Sequence, residues 1–127
     1  MEETISQRVI RCAFNVSNTL GAGFLEKVYE NALCVEFERD GIRFQTQKSI
    51  TVNYKGFQVG KYVADIVVED KLLLEIKALS TFCNSHDAQV MNYLKATNLS
   101  VGLLLNFGRP KLGIKRIVWQ HNESEKI

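Results

Sequence analysis

Apolar residues at Ile5, Val9, Cys12, Ala13, Val16 and Leu20 recur at the spacing of one helix face, and Thr4 stands where an N-cap would. Gly21-Ala22-Gly23 interrupts that run. A second periodic run over residues 24–39, carried by Leu25, Val28, Ala32 and Val35, predicts another helix, closed by Asp40-Gly41 with its suitable C-cap glycine. The period then shortens to the twofold alternation of a strand. Ile50, Val52 and Tyr54 alternate with Ser49, Thr51 and Asn53 before a turn at Lys55-Gly56. Residues 58–68 and 72–78 are two further strands joined by the polar turn Glu69-Asp70-Lys71. Asn84 or Ser85 can cap a helix running to about Thr97, with Ala88, Met91 and Leu94 on its buried face. Val101–Asn106 reads as a strand buried on both faces, Arg109-Pro110 turns the chain, and residues 114–119 add a last strand. The order α-α-β-β-β-α-β-β, without repeats or low-complexity segments, predicts an α/β fold with a mixed sheet flanked by helices.

Composition narrows the class. With 127 residues, 46% hydrophobic and 24% charged, the expectation is one domain, residues 1–127, with a real core and no need of disulfides or a structural metal. Disordered and fibrous classes are excluded. No apolar run approaches the ~18 residues of a membrane span. The start, Met1-Glu2-Glu3, has neither the basic nor the apolar region of a signal peptide, so the expected address is cytoplasmic. Cys12, Cys34 and Cys83 are too few and too widely spaced for a disulfide framework or a metal knuckle, which fits reduced thiols.

The net charge of +2 hides an asymmetry. Residues 1–40 carry seven acids against four bases, whereas residues 88–122 carry no acid alongside Lys95, Arg109, Lys111, Lys115 and Arg116. If the fold gathers those bases on one surface, it attracts polyanions; otherwise they form an ordinary solvated face.

The chemistry concentrates in two apolar strands. Asp65 lies within Tyr62-Val63-Ala64-Asp65-Ile66-Val67-Val68, and Glu75 and Lys77 within Leu72-Leu73-Leu74-Glu75-Ile76-Lys77-Ala78, where residues two apart project from one face. Buried carboxylates need a partner or a metal. Asp65 and Glu75 offer the hard oxygen ligands that magnesium prefers, and Lys77 can orient a water or offset charge developing on phosphorus. A purely structural ion pair is the competing reading, but it leaves one negative charge over. In an antiparallel pair the two carboxylates share a face only when the paired residue numbers have an even sum, which predicts a three- or five-residue turn, or a bulge, between Val68 and Leu72.

Asp65 followed by Glu75-Ile76-Lys77 resembles the D…(D/E)xK signature of the PD-(D/E)XK nuclease superfamily. Gly23-Phe24-Leu25-Glu26-Lys27-Val28-Tyr29 resembles the motif that names its GxxExxY family, and the likeness continues through Tyr54-Lys55-Gly56, His86-Asp87-Ala88-Gln89, Asn92-Tyr93-Leu94 and Gly102-Leu103-Leu104-Leu105-Asn106-Phe107. The resemblance implies a restriction-endonuclease-like α-β-β-β-α-β core and magnesium- or manganese-dependent cleavage of nucleic acid, DNA before RNA. It implies metal ligation by Asp65, Glu75 and the Ile76 carbonyl, support of the transition state by Lys77, and auxiliary roles for Glu26, on the metal side, and Gln89. Ala64-Asp65 replaces the superfamily's proline-aspartate dipeptide, a chemically silent change.

Other features have plainer alternatives. Glu26 is also favoured by the helix dipole alone. His86, Gln89 and Tyr93 form one stripe on the predicted helix that runs to about Thr97, either touching phosphate or forming a satisfied edge of the core. Gly21-x-Gly23 follows a helix instead of a strand and lacks a third glycine, which excludes a dinucleotide fingerprint. Cys83 near His86 lacks the third partner of a thiol mechanism. Lys111, Lys115 and Arg116 are the candidate nucleic-acid contacts. Against the enzyme stand two other readings: an inactive nucleic-acid-binding or protein-interaction module that keeps the fold, and a domain that pairs with a copy of itself.

Overall fold

The elements follow the expected order: α1 (Ile5–Leu20), α2 (Glu26–Arg39), β1 (Phe44–Tyr54), β2 (Phe57–Val68), β3 (Leu72–Lys77), α3 (Asn84–Thr97), β4 (Val101–Asn106) and β5 (Gly113–Val118). They are seen in a computed structural model that describes residues 3–81, 84–121 and 126–127. The strands form one five-stranded sheet in the order β1-β2-β3-β4-β5. Only β3 and β4 run parallel, and α3 makes the crossover between them that parallel pairing requires. All six residues of β4 are buried, as the apolar run over residues 101–105 predicts, with the polar Asn106 satisfied by the Leu79 backbone.

Alternation along β3 sorts the core into two layers. Leu72, Leu74 and Ile76 pack with Val9, Val16, Leu33 and Phe37 of α1 and α2, while Leu73 packs with Val90 and Leu94 of α3. Glu75 and Lys77 share the parity of Leu73 and therefore the α3 side of the sheet.

The caps read from sequence at Thr4 and Gly41 are present, whereas Asn84 and Ser85, expected to cap the third helix, both lie within α3. The Thr4 hydroxyl accepts from the Gln7 amide at 3.2 Å and the Gln7 side chain accepts from the Thr4 amide at 2.8 Å, a complete capping box. Gly41, at φ 69°, follows α2 in the left-handed conformation, with the Ile42 amide donating to Phe37 O at 2.9 Å.

Two helix faces differ from the sequence expectation. In α2 the buried residues are Tyr29, Glu30, Leu33 and Phe37, whereas Leu25, Val28 and Val35 are exposed. In α3 the buried apolar residues are Val90, Tyr93 and Leu94; Ala88 is exposed and Met91 only half-buried. Both helices carry two apolar stripes, and the sheet selects the bulkier one because it fills the inter-layer space better.

The β2–β3 connection has the parity the carboxylates need. Val68 pairs with Leu72, Val67 with Leu73 and Ile66 with Leu74, leaving a three-residue turn. Glu69 and Asp70 take positive φ values of 53° and 55°, and the Lys71 amide closes the turn on Val68 O at 3.0 Å.

Candidate active site

Continuing the β2–β3 register by one step brings Asp65 opposite Glu75, but side chains replace the regular ladder there. The Ile76 amide donates to Asp65 Oδ2 at 2.8 Å, and the Asp65 amide donates to Glu75 Oε1 at 3.3 Å. Each carboxylate is thus anchored through one oxygen. Among the described residues, Asp65 Oδ1 and Glu75 Oε2 make no hydrogen bond, and Lys77 Nζ makes neither a hydrogen bond nor an ion pair. Glu75 is only 4% exposed and Asp65 half-buried. Burial, then repulsion from Asp65, pushes the Glu75 carboxyl up to about 8. Burial also raises Asp65, against the stabilising Ile76 amide.

The junction of α1 and α2 brings a further acid, Glu26, within electrostatic reach of this pair. Tyr29, fully buried and stacked on Phe107 with centroids 4.8 Å apart, donates its hydroxyl to Gly21 O at 2.6 Å and accepts from the Phe24 amide at 3.1 Å. Gly23, at φ 116°, takes a conformation that other residues rarely adopt. Tyr29 and Gly23 together fix the loop that delivers Glu26 to the start of α2. Glu26 is exposed, and its charge adds to the upward shifts of Asp65 and Glu75.

Glu30, one turn further on, escaped the sequence reading. It is 3% exposed, paired with Lys27, and accepts from Gln47 Nε2 at 2.8 Å. Its charge acts on Asp65 more strongly than that of Lys77 does. The available signal was that Glu30 falls at i, i+3 and i+7 with Leu33 and Phe37, on the stripe that the fold buries.

On the α3 side, Tyr93 is 7% exposed and Gln89 half-buried, and both line a cleft between α3 and the β1–β2 hairpin. Tyr93 lies near enough to Glu75 and Asp65 for both charges to reinforce the rise its hydroxyl pKa owes first to burial. Among the described residues, His86 Nδ1 is buried without a hydrogen-bond partner, so it is not the satisfied core edge expected of it.

Among the described residues no group of three or more His, Cys, Asp or Glu side chains is arranged to hold a metal. The site instead offers two carboxylates, each with one oxygen unengaged, in a surplus of negative charge. That donor set fits a hard divalent cation that keeps several waters.

A sequence profile of the PD-(D/E)XK nuclease superfamily matches residues 3–117. The chain belongs to that superfamily. A solved structure described as "Crystal structure of SSO0001" superposes with a TM-score of 0.59 at 15% identity, covering 94% of this chain and 60% of that one. At that identity the likeness is one of fold. This chain therefore spans 60% of the length of that protein. No curated protein matches the chain.

Within this PD-(D/E)XK fold Lys115 and Arg116 do not share one surface. Lys115 and Arg116 are neighbours on β5 and point to opposite sides of the sheet. Lys115 pairs with Asp87 of α3 at 3.2 Å, while Arg116 donates to Ser6 Oγ of α1 at 3.2 Å and to Ile127 O at 3.4 Å. Lys111 is exposed on the β4–β5 loop. Cys12 and Cys34 are free thiols whose pKa values burial raises, Cys12 to about 11, which makes them poor nucleophiles. Cys83 lies outside the described residues. No helix among the described residues is long and apolar enough to cross a membrane.

Proposed function

We propose that the protein hydrolyses phosphodiester bonds in nucleic acid, DNA in preference to RNA, with magnesium or manganese held by Asp65, Glu75 and the Ile76 carbonyl. The observation that carries this reading is the convergence of Asp65 and Glu75, each tethered through one oxygen and open at the other, beside the unpaired ammonium of Lys77. A divalent ion there would polarise the phosphate and make a water more acidic. The protein's own residues do the rest. The Ile76 and Asp65 amides hold the carboxylates in place. Lys77 orients the attacking water and offsets negative charge on the phosphate oxygens. Glu26 acts on the metal side from the first turn of α2, and Gln89 contacts phosphate or water from α3.

The finer assignment to the GxxExxY family rests on what its motif does here. Gly23 turns the loop, Tyr29 ties it to Gly21 and Phe24, and Glu26 is delivered towards Asp65 and Glu75. Lys111 and Lys115 are the remaining candidates for phosphate contact, whereas the Arg116 guanidinium is committed to Ser6 and Ile127.

The test is incubation of the purified protein with linear, nicked, branched and single-stranded DNA and with RNA, in magnesium, in manganese and in chelator. Metal-dependent cleavage that Glu75→Gln abolishes supports the reading. Binding without any cleavage identifies an inactive module.

A further inference from the structure

The cleft between α3 and the β1–β2 hairpin differs chemically from the carboxylate centre it adjoins. Its volume is about 890 Å³, and among the described residues its lining contains no acid and a single charge, that of Lys95. Clefts of about 300–1,000 Å³ are the size that holds compact organic ligands. One wall presents Asn53 and the ring of Tyr62; the other presents Gln89, Asn92 and Tyr93. Among the described residues, the side-chain amides of Asn53, Gln89 and Asn92 make no hydrogen bond within the protein, so their donors and acceptors are available. Tyr62 is 50% exposed, yet its ring is braced against Tyr93, with centroids 5.6 Å apart and planes at 42°. Tyr93 in turn lies beside Glu75 and Asp65. An aromatic face, free amides and a lone cation are the complement of a nucleotide.

We propose that this cleft holds an unpaired nucleotide adjoining the scissile phosphate, its base stacked on Tyr62, its edge read by Asn53 or Asn92, and its backbone drawn by Lys95. The inference rests on the nuclease reading and narrows its substrate to single-stranded nucleic acid or a single-stranded tail. A base inside a duplex has both faces covered by its neighbours, so it reaches Tyr62 only when unstacked, at a cost that single strands largely avoid.

The test is fluorescence anisotropy with a labelled DNA 12-mer, single-stranded or as a blunt duplex, using full-length protein in chelator so that cleavage plays no part. The expected result is single-strand binding at least about tenfold tighter than duplex binding. Tyr62→Ala should weaken it about 5- to 100-fold, the range of one lost base stack, while Tyr62→Phe retains it. Tyr62→Leu, which keeps apolar bulk without an aromatic face, stands in if the alanine variant fails to fold. Lys95→Met should lower the salt dependence. Equal affinity for both polymers, no binding to either, or indifference to Tyr62→Leu overturns the proposal. Duplex cleavage by a Tyr62→Leu variant at the wild-type rate overturns it and leaves the nuclease reading standing. Tyr62-dependent single-strand binding without cleavage in any metal does the reverse.

Discussion

Gln47 stands opposite Asp65 across the β1–β2 ladder, and the two do not pair. Thr46 pairs with Ile66 and Lys48 with Ala64, but the step between is skipped. Gln47 there takes a left-handed φ of 50°, and its side chain leaves the strand to donate to Glu30. On β2 the burial pattern slips at the same point, because Ala64 and Val67, three residues apart, both pack in the α3 layer. Strict alternation would separate them. The irregularity frees the Asp65 amide for Glu75 and the Asp65 carboxylate for the Ile76 amide. A local break in pairing is how sheets re-aim a side chain beside a site.

Gln47→Val therefore removes the Glu30 hydrogen bond and places a β-branched residue at positive φ. The expected loss of stability is about 1–3 kcal/mol. Gln47→Gly, which accepts that φ, should lose less. Urea denaturation of the two variants measures the difference.

Glu75 makes the metal-free protein sensitive to pH. Its carboxyl, pushed up to about 8 in the fold from an ordinary 4.5, binds its proton more tightly folded than unfolded. Stability therefore falls as pH rises from about 4.5 to about 8, by a few kcal/mol. Asp40, whose carboxyl Arg11 and Arg8 hold below its ordinary range, acts in the opposite sense and only in more acidic solution. Thermal unfolding in chelator should give a lower Tm at pH 8 than at pH 5. Glu75→Gln should flatten the slope, and magnesium should raise Tm at pH 8 through preferential binding to the folded state.

Much of this site was legible because it rests on local rules. Asp65 and Glu75 stand out as acids in apolar strands, and the parity of their numbers anticipates the three-residue turn. Thr4 and Gly41 mark helix ends through backbone chemistry that any helix shares. What escaped depends on packing. In α2 the Leu25-Val28-Val35 stripe is as periodic as Tyr29-Leu33-Phe37, and the choice is made by the Tyr29 hydroxyl and the Phe107 ring, which are remote in sequence. Glu30 and Gln47 escaped as well, because their side chains are 17 residues apart in sequence and meet only in the folded chain. The opposed directions of Lys115 and Arg116 follow from strand alternation, which charge counting along the chain ignores.

Tyr29→Phe isolates the role of the motif tyrosine, because it keeps the stack on Phe107 and deletes only the hydroxyl. The variant should fold, losing about 1–2 kcal/mol for a buried donor and acceptor. With the Gly21–Phe24 loop released, Glu26 is no longer held towards the carboxylates. Cleavage should therefore fall further than that of a control such as Val35→Ala, whose side chain is exposed. Parallel measurements of Tm and initial rate separate the two effects.

Lys115 and Arg116 should behave differently despite being adjacent and alike in charge. Lys115 lies on the α3 side, the side of Glu75, Lys77 and the Tyr62 cleft, and its partner Asp87 is a surface acid from which a phosphate can draw it. Arg116 lies on the other side, and the Ser6 hydroxyl and Ile127 carbonyl already engage it. Lys115→Ala should weaken DNA binding and lower the slope of log affinity against log salt by about one, with little change in Tm. Arg116→Ala should leave the salt slope unchanged and cost up to about 1 kcal/mol of stability, the usual worth of exposed polar contacts. Salt titrations and unfolding curves on the two variants read these outcomes directly. An equal loss of DNA binding in both would place nucleic acid on both faces of the sheet, a geometry that a single cleft beside Glu75 does not allow.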